Sequence, residues 1–366
     1  MNLYNLSSYD YYLPKELIAQ ILHDPADESK LLYFKDGNLK DLIFKDIKDI
    51  LTENDLLFFN NSKVIKARIK NLQNNLFTLS DIKAEIFFLK KYENIFEALI
   101  KPKKFKVKKI YIKDYPYEFE IIDNIKDRLI RLNSNEDIFD VLQKIGIMPL
   151  PPYIRYKKEK EKLYQAIIAT KPSVAAPTAS LHFTEKLLTN LKSKNINMLY
   201  SALYIGQTFK IVDTENILNY DIHEEFVEVP CDIFKKISEN KEKNIVAVTT
   251  STRILESLPF LYAKLHLDND VFWNEIIKNI KKEDIQRFIP NVFINNDNIS
   301  FQTKLFIYPF KFYLVKKLIT NFHLPKSSLL MLVSAFMYEN MRKAYDYAIK
   351  NKYTFFSFDA MMIDNT

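Results

Sequence analysis

An α/β domain carrying an inserted antiparallel β-barrel is the fold class the sequence predicts, on three observations. The chain has 366 residues, enough for two domains with a sizeable core in at least one. Its second half alternates apolar runs of strand length with helix-length segments, the pattern of a largely parallel sheet. Between Val64 and Leu132 the texture changes to short segments that alternate apolar with polar or basic residues, as in a meander or small barrel. The expected division is an α/β domain over 1–60 and 151–366, with the inserted β-barrel over 61–150.

The elements follow in order. Leu13–Gln20 reads as a short helix with Pro14 in its first turn. Leu56–Phe59 is a buried strand ending in the turn cluster Asn60-Asn61-Ser62. In the insertion, strands are predicted at Val64–Ile69, Ala84–Leu89, Phe96–Ile100, Val107–Ile112, Tyr117–Ile122 and Arg128–Leu132. A helix over Glu136–Ile145 leads into the proline-stiffened return Ile147–Ile154. Beyond it, helices are predicted at Glu161–Ala169, Glu185–Lys194, Ile233–Glu239, Arg253–Lys264 and Leu329–Lys350. Strands are predicted at Met198–Ile205, Phe226–Val229, Ile245–Val248, Lys304–Tyr308 and Tyr353–Ser357.

Composition excludes several classes. Cys231 stands alone, so no intramolecular disulfide forms, and the five histidines lack metal-ligand spacing. The N-terminal residues lack a basic segment followed by an apolar one, so no secretory signal is expected. The longest apolar run, Leu329–Met337, falls short of a membrane span. A cytoplasmic protein is expected. The net charge of +7 is compatible with a polyanionic partner without requiring one.

Candidate functional residues fall in four clusters at the ends of elements, where open α/β sheets bind ligands. The segment Tyr164–Thr184 mixes small residues with hydrogen-bonding ones and ends in His182, ahead of a helix capped by Thr184. Thr249-Thr250-Ser251-Thr252-Arg253 follows a strand and opens a helix; it suits a carboxylate or phosphate, or is simply a Ser/Thr cap with a solvated arginine. Asn321, His323 and Lys326 crowd the start of the longest helix. Asp359 stands alone in an apolar segment: a base, a partner for Arg253, or a turn cap. In the insertion, Lys101–Lys109 holds six lysines that either track phosphates or form a solvated face.

Nine motifs in order give the chain a resemblance that no single one would carry. They are LPKELIAQ (13–20), LLFFNNSKVIKARI (56–69), IMPLPPYI (147–154), YQAIIATKPSVAAPTASLHFT (164–184), ALYIGQTF (202–209), VAVTTSTRILES (246–257), LFIYPFKF (305–312), ITNFHLPKSSLLMLVSAF (319–336) and FFSFDAMMI (355–363). Together they resemble the S-adenosylmethionine:tRNA ribosyltransferase-isomerases of queuosine biosynthesis. The resemblance implies a monomer with an α/β domain and an inserted barrel. Its members transfer and isomerise the ribosyl group of S-adenosylmethionine onto a 7-aminomethyl-7-deazaguanine base of tRNA, releasing adenine and methionine. S-adenosylmethionine is then a co-substrate, with no metal or true cofactor.

That chemistry needs a base at the ribose C5′, protonation of adenine and a cationic clamp on the methionine carboxylate. His182, His323 and Asp359 are the acid/base candidates the resemblance implies. Thr249, Thr250, Ser251, Thr252 and Arg253 are assigned to an anionic group, and Asn321, Lys326 and Arg68 to substrate or RNA contacts. The rival reading is a non-catalytic RNA-binding protein on the same scaffold; a Ser/His hydrolase would need a GxSxG elbow that is absent.

The chain departs from the family pattern in one respect. Family motifs carry a glycine between the residues equivalent to Val248-Thr249, Gln207-Thr208, Pro309-Phe310, Phe358-Asp359 and Met337-Tyr338, and here each is one residue shorter. The Lys171-Pro172-Ser173 and Val107-Lys108 segments are shortened in the same way. Only Gly37, Gly146 and Gly206 are present. Glycine at such turns permits positive φ or close backbone approach. Coordinated natural loss is not expected, so the motifs read as a sequence from which residues are missing, not as an enzyme that evolved without them.

Overall fold

A computed structural model of the chain describes residues 2–18, 20, 23–70, 72–73, 85–92, 95–101, 108–112, 114–123, 128–150, 154, 161, 164–173, 177–204, 211–267 and 270–366. The interior of the lysine run, the turn around Gly206 and most of the return at 151–160 lie outside them.

The main sheet has ten strands. They are β1 (Lys30–Lys35), β2 (Asn38–Ile43), β3 (Asp55–Asn60), β4 (Asn197–Tyr204), β5 (Glu225–Pro230), β6 (Asn244–Val248), β7 (Val292–Ile294), β8 (Asn298–Thr303), β9 (Val315–Asn321) and β10 (Ala360–Asp364). Their spatial order is β7-β8-β5-β4-β3-β6-β9-β10-β1-β2. The central run β4-β3-β6-β9 is parallel. Antiparallel pairs flank it on both sides, and β10 then pairs with β1 in parallel, so the fold is mixed α/β.

Burial explains why these segments are strands. All six residues of β3 are buried, as expected of a strand covered on both faces. Leu56 and Phe58 point into one core, and Leu57 and Phe59 into the other. Helix α1 (Glu185–Ser193) packs Leu187, Leu188 and Leu191 into the second core. Helix α2 (Thr249–Lys264) places Leu255, Leu258 and Leu261 in the first, together with α3 (Ser328–Met337) and α4 (Asn340–Lys350).

At the amino edge of the sheet, Lys317 of β9 lies 2.9 Å from Asp55 and 3.7 Å from Asp364, all three buried. This pairing lets β9 carry lysine inside a central strand, and it hid the strand from pattern reading. The hairpin β1-β2 and the helices Val271–Ile277 and Lys282–Phe288 were likewise not expected. Three expected elements are corrected. Residues 304–308 follow β8 without regular structure, and 353–357 precede β10 as irregular chain with one bridge from Phe355 to Ile18. Of the helix expected at Glu161–Ala169, the described residues show Glu161 as helical and 164–169 as turns and bends. Where a helix was expected at Leu13–Gln20, the described residues form a 3-10 turn, Lys15–Leu17.

The inserted region is a seven-stranded antiparallel sheet. Its order is Arg68–Ile69, Glu85–Tyr92, Ile95–Lys101, Arg128–Asn133, Glu118–Asp123, Lys109–Ile112, Leu72–Gln73. Its own core of Ile86, Phe88, Phe96, Ala98, Ile110, Phe119 and Ile130 is covered by the helix Ile138–Ile145. The two edge strands are close neighbours in the chain, which rolls the sheet. Among the described residues no ladder joins them, so the closed barrel expected from the sequence is not what the hydrogen bonds form. Gly146 ends the helix where a Cβ would lie 2.1 Å from the Lys66 carbonyl oxygen, so the link between the two sheets needs glycine there.

The expected 329–350 helix is two helices. They break at Tyr338, which adopts φ 53° and ψ −129°. That conformation favours glycine, and Tyr338 stands where the family motif would place one before it. Because the Tyr338 side chain is exposed, Tyr338→Gly should relieve strain and stabilise the protein by about 1 kcal/mol. A thermal unfolding midpoint that falls in this variant would contradict the account.

On α2, the buried Glu256 carboxylate accepts the N–H groups of Tyr313, Leu314 and Val315 at 2.7–3.1 Å and pins the approach to β9. Burial pushes its pKa up to about 7 against those three donors. The folded state therefore holds a proton that the unfolded chain releases near its model value of 4.5. Stability from this group is present below that value and lost as pH rises towards 7. Denaturant titrations of wild type and Glu256→Gln should show this slope in the wild type alone.

Candidate active site at the carboxyl edge of the main sheet

The central parallel strands end together, at Asn60, Tyr204, Val248 and Asn321. β10 and β1 begin at the same edge, and Glu225 of β5 pairs with Thr303 of β8 there. The segment 164–184 straps across this edge through its described residues. Tyr164 Oη lies 2.5 Å from Ser357 Oγ, Gln165 bonds the backbone of Val64 through both ends of its amide, and Lys171–Ser173 pairs with Ser62–Val64. His182, His323, Asp359, Asn321 and Thr249–Arg253 all lie along this edge or in the first turns that follow it.

His182 is fully buried and stacks on Phe44 with ring centroids 4.7 Å apart. Asn321 Nδ2 donates to the Asp359 carbonyl at 2.9 Å, which fixes the amide orientation, and also to His182 Nε2 at 2.9 Å. His182 Nδ1–H then donates to Ser29 Oγ at 2.8 Å, and Ser29 passes its hydrogen to the Ala26 carbonyl. The imidazole is thus neutral with both nitrogens occupied, and burial pushes its pKa down to about 4. Asn321 Oδ1, also buried, has no partner among the described residues.

His323 is buried too, and burial pushes it down to about 3. Its Nε2 lies 2.8 Å from Thr320 Oγ1, which also accepts from Thr249 Oγ1 at 2.9 Å. Its backbone is held by Tyr11 and Tyr345. Asp359 accepts the N–H groups of Lys30 at 2.9 Å and Thr354 at 2.7 Å, with the half-exposed His23 Nε2 at 3.9 Å. It closes a turn and seats β1, and among the described residues its side chain meets these groups and not Arg253.

The first turn of α2 follows β6 with no intervening loop residue. Its N-cap, Val248, offers no side-chain cap. Thr250 accepts a hydrogen bond from Asn60 at 3.2 Å, while the buried hydroxyls of Ser251 and Thr252 have no partner among the described residues. Arg253 is turned to the far side of the edge. It pairs with Glu225 and donates to the carbonyls of His223 and Thr303 at 3.1 Å each. Although burial acts to raise it, the Arg253 guanidinium and His223 hold the Glu225 carboxyl below its ordinary range. The free guanidinium expected from the sequence is therefore occupied.

Two candidates lie elsewhere. Lys326, at φ 60°, bonds through its backbone to Tyr9 and Val212, and its ammonium pairs with Asp10 at 2.7 Å. Arg68 lies on the inserted sheet, 3.7 Å from Glu85 and over the Phe87 ring. Cavities of about 330 and 420 Å³ open beside Tyr220, Phe306 and Tyr308 and beside Lys30, Asp41 and Tyr353. Neither is lined by His182, His323 or Arg253. Sequence reading missed Asn60, Ser29, Thr320 and Glu225. Asn60 was read only as a turn residue, and its position at the end of a fully buried strand was the available signal.

A polar edge of this kind, at the carboxyl ends of parallel strands, defines an α/β ligand-binding enzyme scaffold. The chain belongs to the family described as queuosine biosynthesis protein, whose sequence profile matches residues 6–363. A relative from Sulfurihydrogenibium sp. (strain YO3AOP1), named S-adenosylmethionine:tRNA ribosyltransferase-isomerase, is 40% identical, covering 98% of this chain and 99% of its own. A namesake from Thermosipho melanesiensis is 41% identical over 96% and 97% of the two chains. A crystal structure of S-adenosylmethionine tRNA ribosyltransferase from Thermotoga maritima aligns with a TM-score of 0.49 at 29% identity, over 97% of this chain and 99% of that one.

The depressed His182 pKa has a consequence for acid stability. The unfolded chain takes up a proton near 6.5 that the folded state resists until about 4. Stability from this group is full above 6.5 and lost as pH falls towards 4. Between pH 7 and pH 4.5 the wild type should lose on the order of 2 kcal/mol more than His182→Gln in denaturant titrations. Equal losses would place His182 outside the buried network.

Proposed function

We propose that this protein is an S-adenosylmethionine:tRNA ribosyltransferase-isomerase that acts on the 7-aminomethyl-7-deazaguanine base of a tRNA, yielding epoxyqueuosine-tRNA, adenine and methionine. Near-full-length similarity to relatives of that name carries the reading. The polar edge supports it, since it offers hydroxyls, a free helix N-terminus and neutral imidazoles together. S-adenosylmethionine is the co-substrate, and the working unit is read as a cytoplasmic monomer with no metal or resident cofactor. Residues 1–60 and 151–366 form the catalytic domain in this reading, and the rolled sheet within 61–150 acts as the barrel.

The site roles follow the geometry. The first turn of α2 receives the methionine carboxylate, because an uncapped helix start attracts anions and Thr250, Ser251 and Thr252 surround it. His323 is assigned to proton transfer, since Nδ1 has no hydrogen-bond partner among the described residues. His182 and Asp359 hold Asn321 and β1 in place around it. Thr249 sets the hydroxyl of Thr320 against His323. Arg253 backs the turn through Glu225, while Lys326 and Arg68 are proposed RNA contacts.

The deciding measurement is adenine release from S-adenosylmethionine in the presence of precursor tRNA. Release that depends on that tRNA, and that falls at least 100-fold in folded His323→Ala, is the expected result. Retention of tRNA without adenine release would make the protein a non-catalytic binder.

A further inference from the structure

We propose that Asn60 is a positioning residue that fixes the polarity of the Thr250 hydroxyl, making Thr250 a hydrogen-bond donor to the carboxylate of the sulfonium co-substrate. The inference rests on the function proposed above and adds a residue and a direction to it.

The amide orientation of Asn60 is fixed by the backbone around it. Its Oδ1 accepts two N–H groups, those of Ser62 and Leu203, each at 3.1 Å. Both are obligatory donors, so the other end of the amide must be the NH₂ group. That group points at Thr250 Oγ1, 3.2 Å away, and grazes the Leu203 carbonyl at 3.5 Å. Asn60 is completely buried at the carboxyl end of β3 and cannot turn without unpairing two backbone donors.

The Thr250 oxygen therefore accepts, and its hydrogen must point elsewhere. Among the described residues that hydrogen has no acceptor. Thr250 is half-buried in the first turn of α2, where no side chain caps the free N–H groups. Its neighbour Thr249 behaves oppositely, spending its own hydrogen on Thr320 Oγ1. An outward O–H beside free N–H groups offers only donors, which selects an anionic oxygen over an amine or a second hydroxyl donor. In the proposed reaction the methionine carboxylate is such a group on the co-substrate.

The test is a double-mutant cycle read in adenine release, with KM for S-adenosylmethionine separated from KM for tRNA. Thr250→Val keeps the shape and removes the donor. Asn60→Asp keeps an acceptor for Ser62 and Leu203 but draws the Thr250 hydrogen inward. Each should raise KM for S-adenosylmethionine about 10-fold or more, as loss of a hydrogen bond to a charged group does, with KM for tRNA unchanged. Thr250→Ser should restore the wild-type value, and the double variant should be no worse than Thr250→Val alone.

A Thr250→Val variant with wild-type KM, additive effects in the double variant, or a rise in KM for tRNA instead would each overturn the proposal. Circular dichroism of Thr250→Val, whose substitution is isosteric, keeps the outcome readable if Asn60→Asp folds poorly. Wild-type protein that turns over no S-adenosylmethionine would overturn the functional reading and this inference with it; wild-type turnover with an unaffected Thr250→Val overturns this inference alone.

Discussion

The structure depends on how the carboxyl ends of β3, β6 and β9 are satisfied. Strands that stop in step leave peptide groups and polar side chains facing one another in a place that protein covers. Here three side chains answer that demand. Asn60 ties the end of β3 to β4 and α2, Thr249 ties the end of β6 to Thr320, and Asn321 ties the end of β9 to His182 and the start of β10. Each stands at once at the end of a strand and at the candidate site.

This double use gives the edge its electrical character. Both buried imidazoles are neutral at physiological pH, and the largely covered Arg253 is matched by Glu225. Asp359 apart, whose carboxylate is held by two backbone N–H groups, what remains unmatched at this edge is dipolar: free N–H groups at the start of α2 and hydroxyls without partners among the described residues. Such a surface recognises an anion through direction more than through net charge, and it does so without the desolvation cost of an unpaired cation.

Much of this was legible in the sequence. The buried strand ending at Asn60, the helix after Val248 and the polar cluster after Ile319 all carried their signals in short runs, and most strands of the insertion were placed within a few residues. What escaped was set by tertiary pairing. β9 reads as too basic for a central strand until Asp55 and Asp364 are brought to Lys317. Arg253 looks free in the sequence, since Glu225 lies far from it along the chain and only the packing of α2 against the end of the β5-β8 ladder brings the two together. The helix break at Tyr338 was not expected, although Met337-Tyr338 is one of the motifs shortened by a glycine, because the residue that marks such breaks is absent there.

The place of β10 bears on how the protein is made. Residues 360–364 lie between β9 and β1, although they follow every other strand in the chain. During synthesis the β1-β2 hairpin leaves the ribosome early and waits, edge unpaired, for a partner translated more than three hundred residues later. The seam where Lys30, Asp359 and Asn321 meet is consequently the last part of the sheet to form, when the chain is almost entirely out of the exit tunnel.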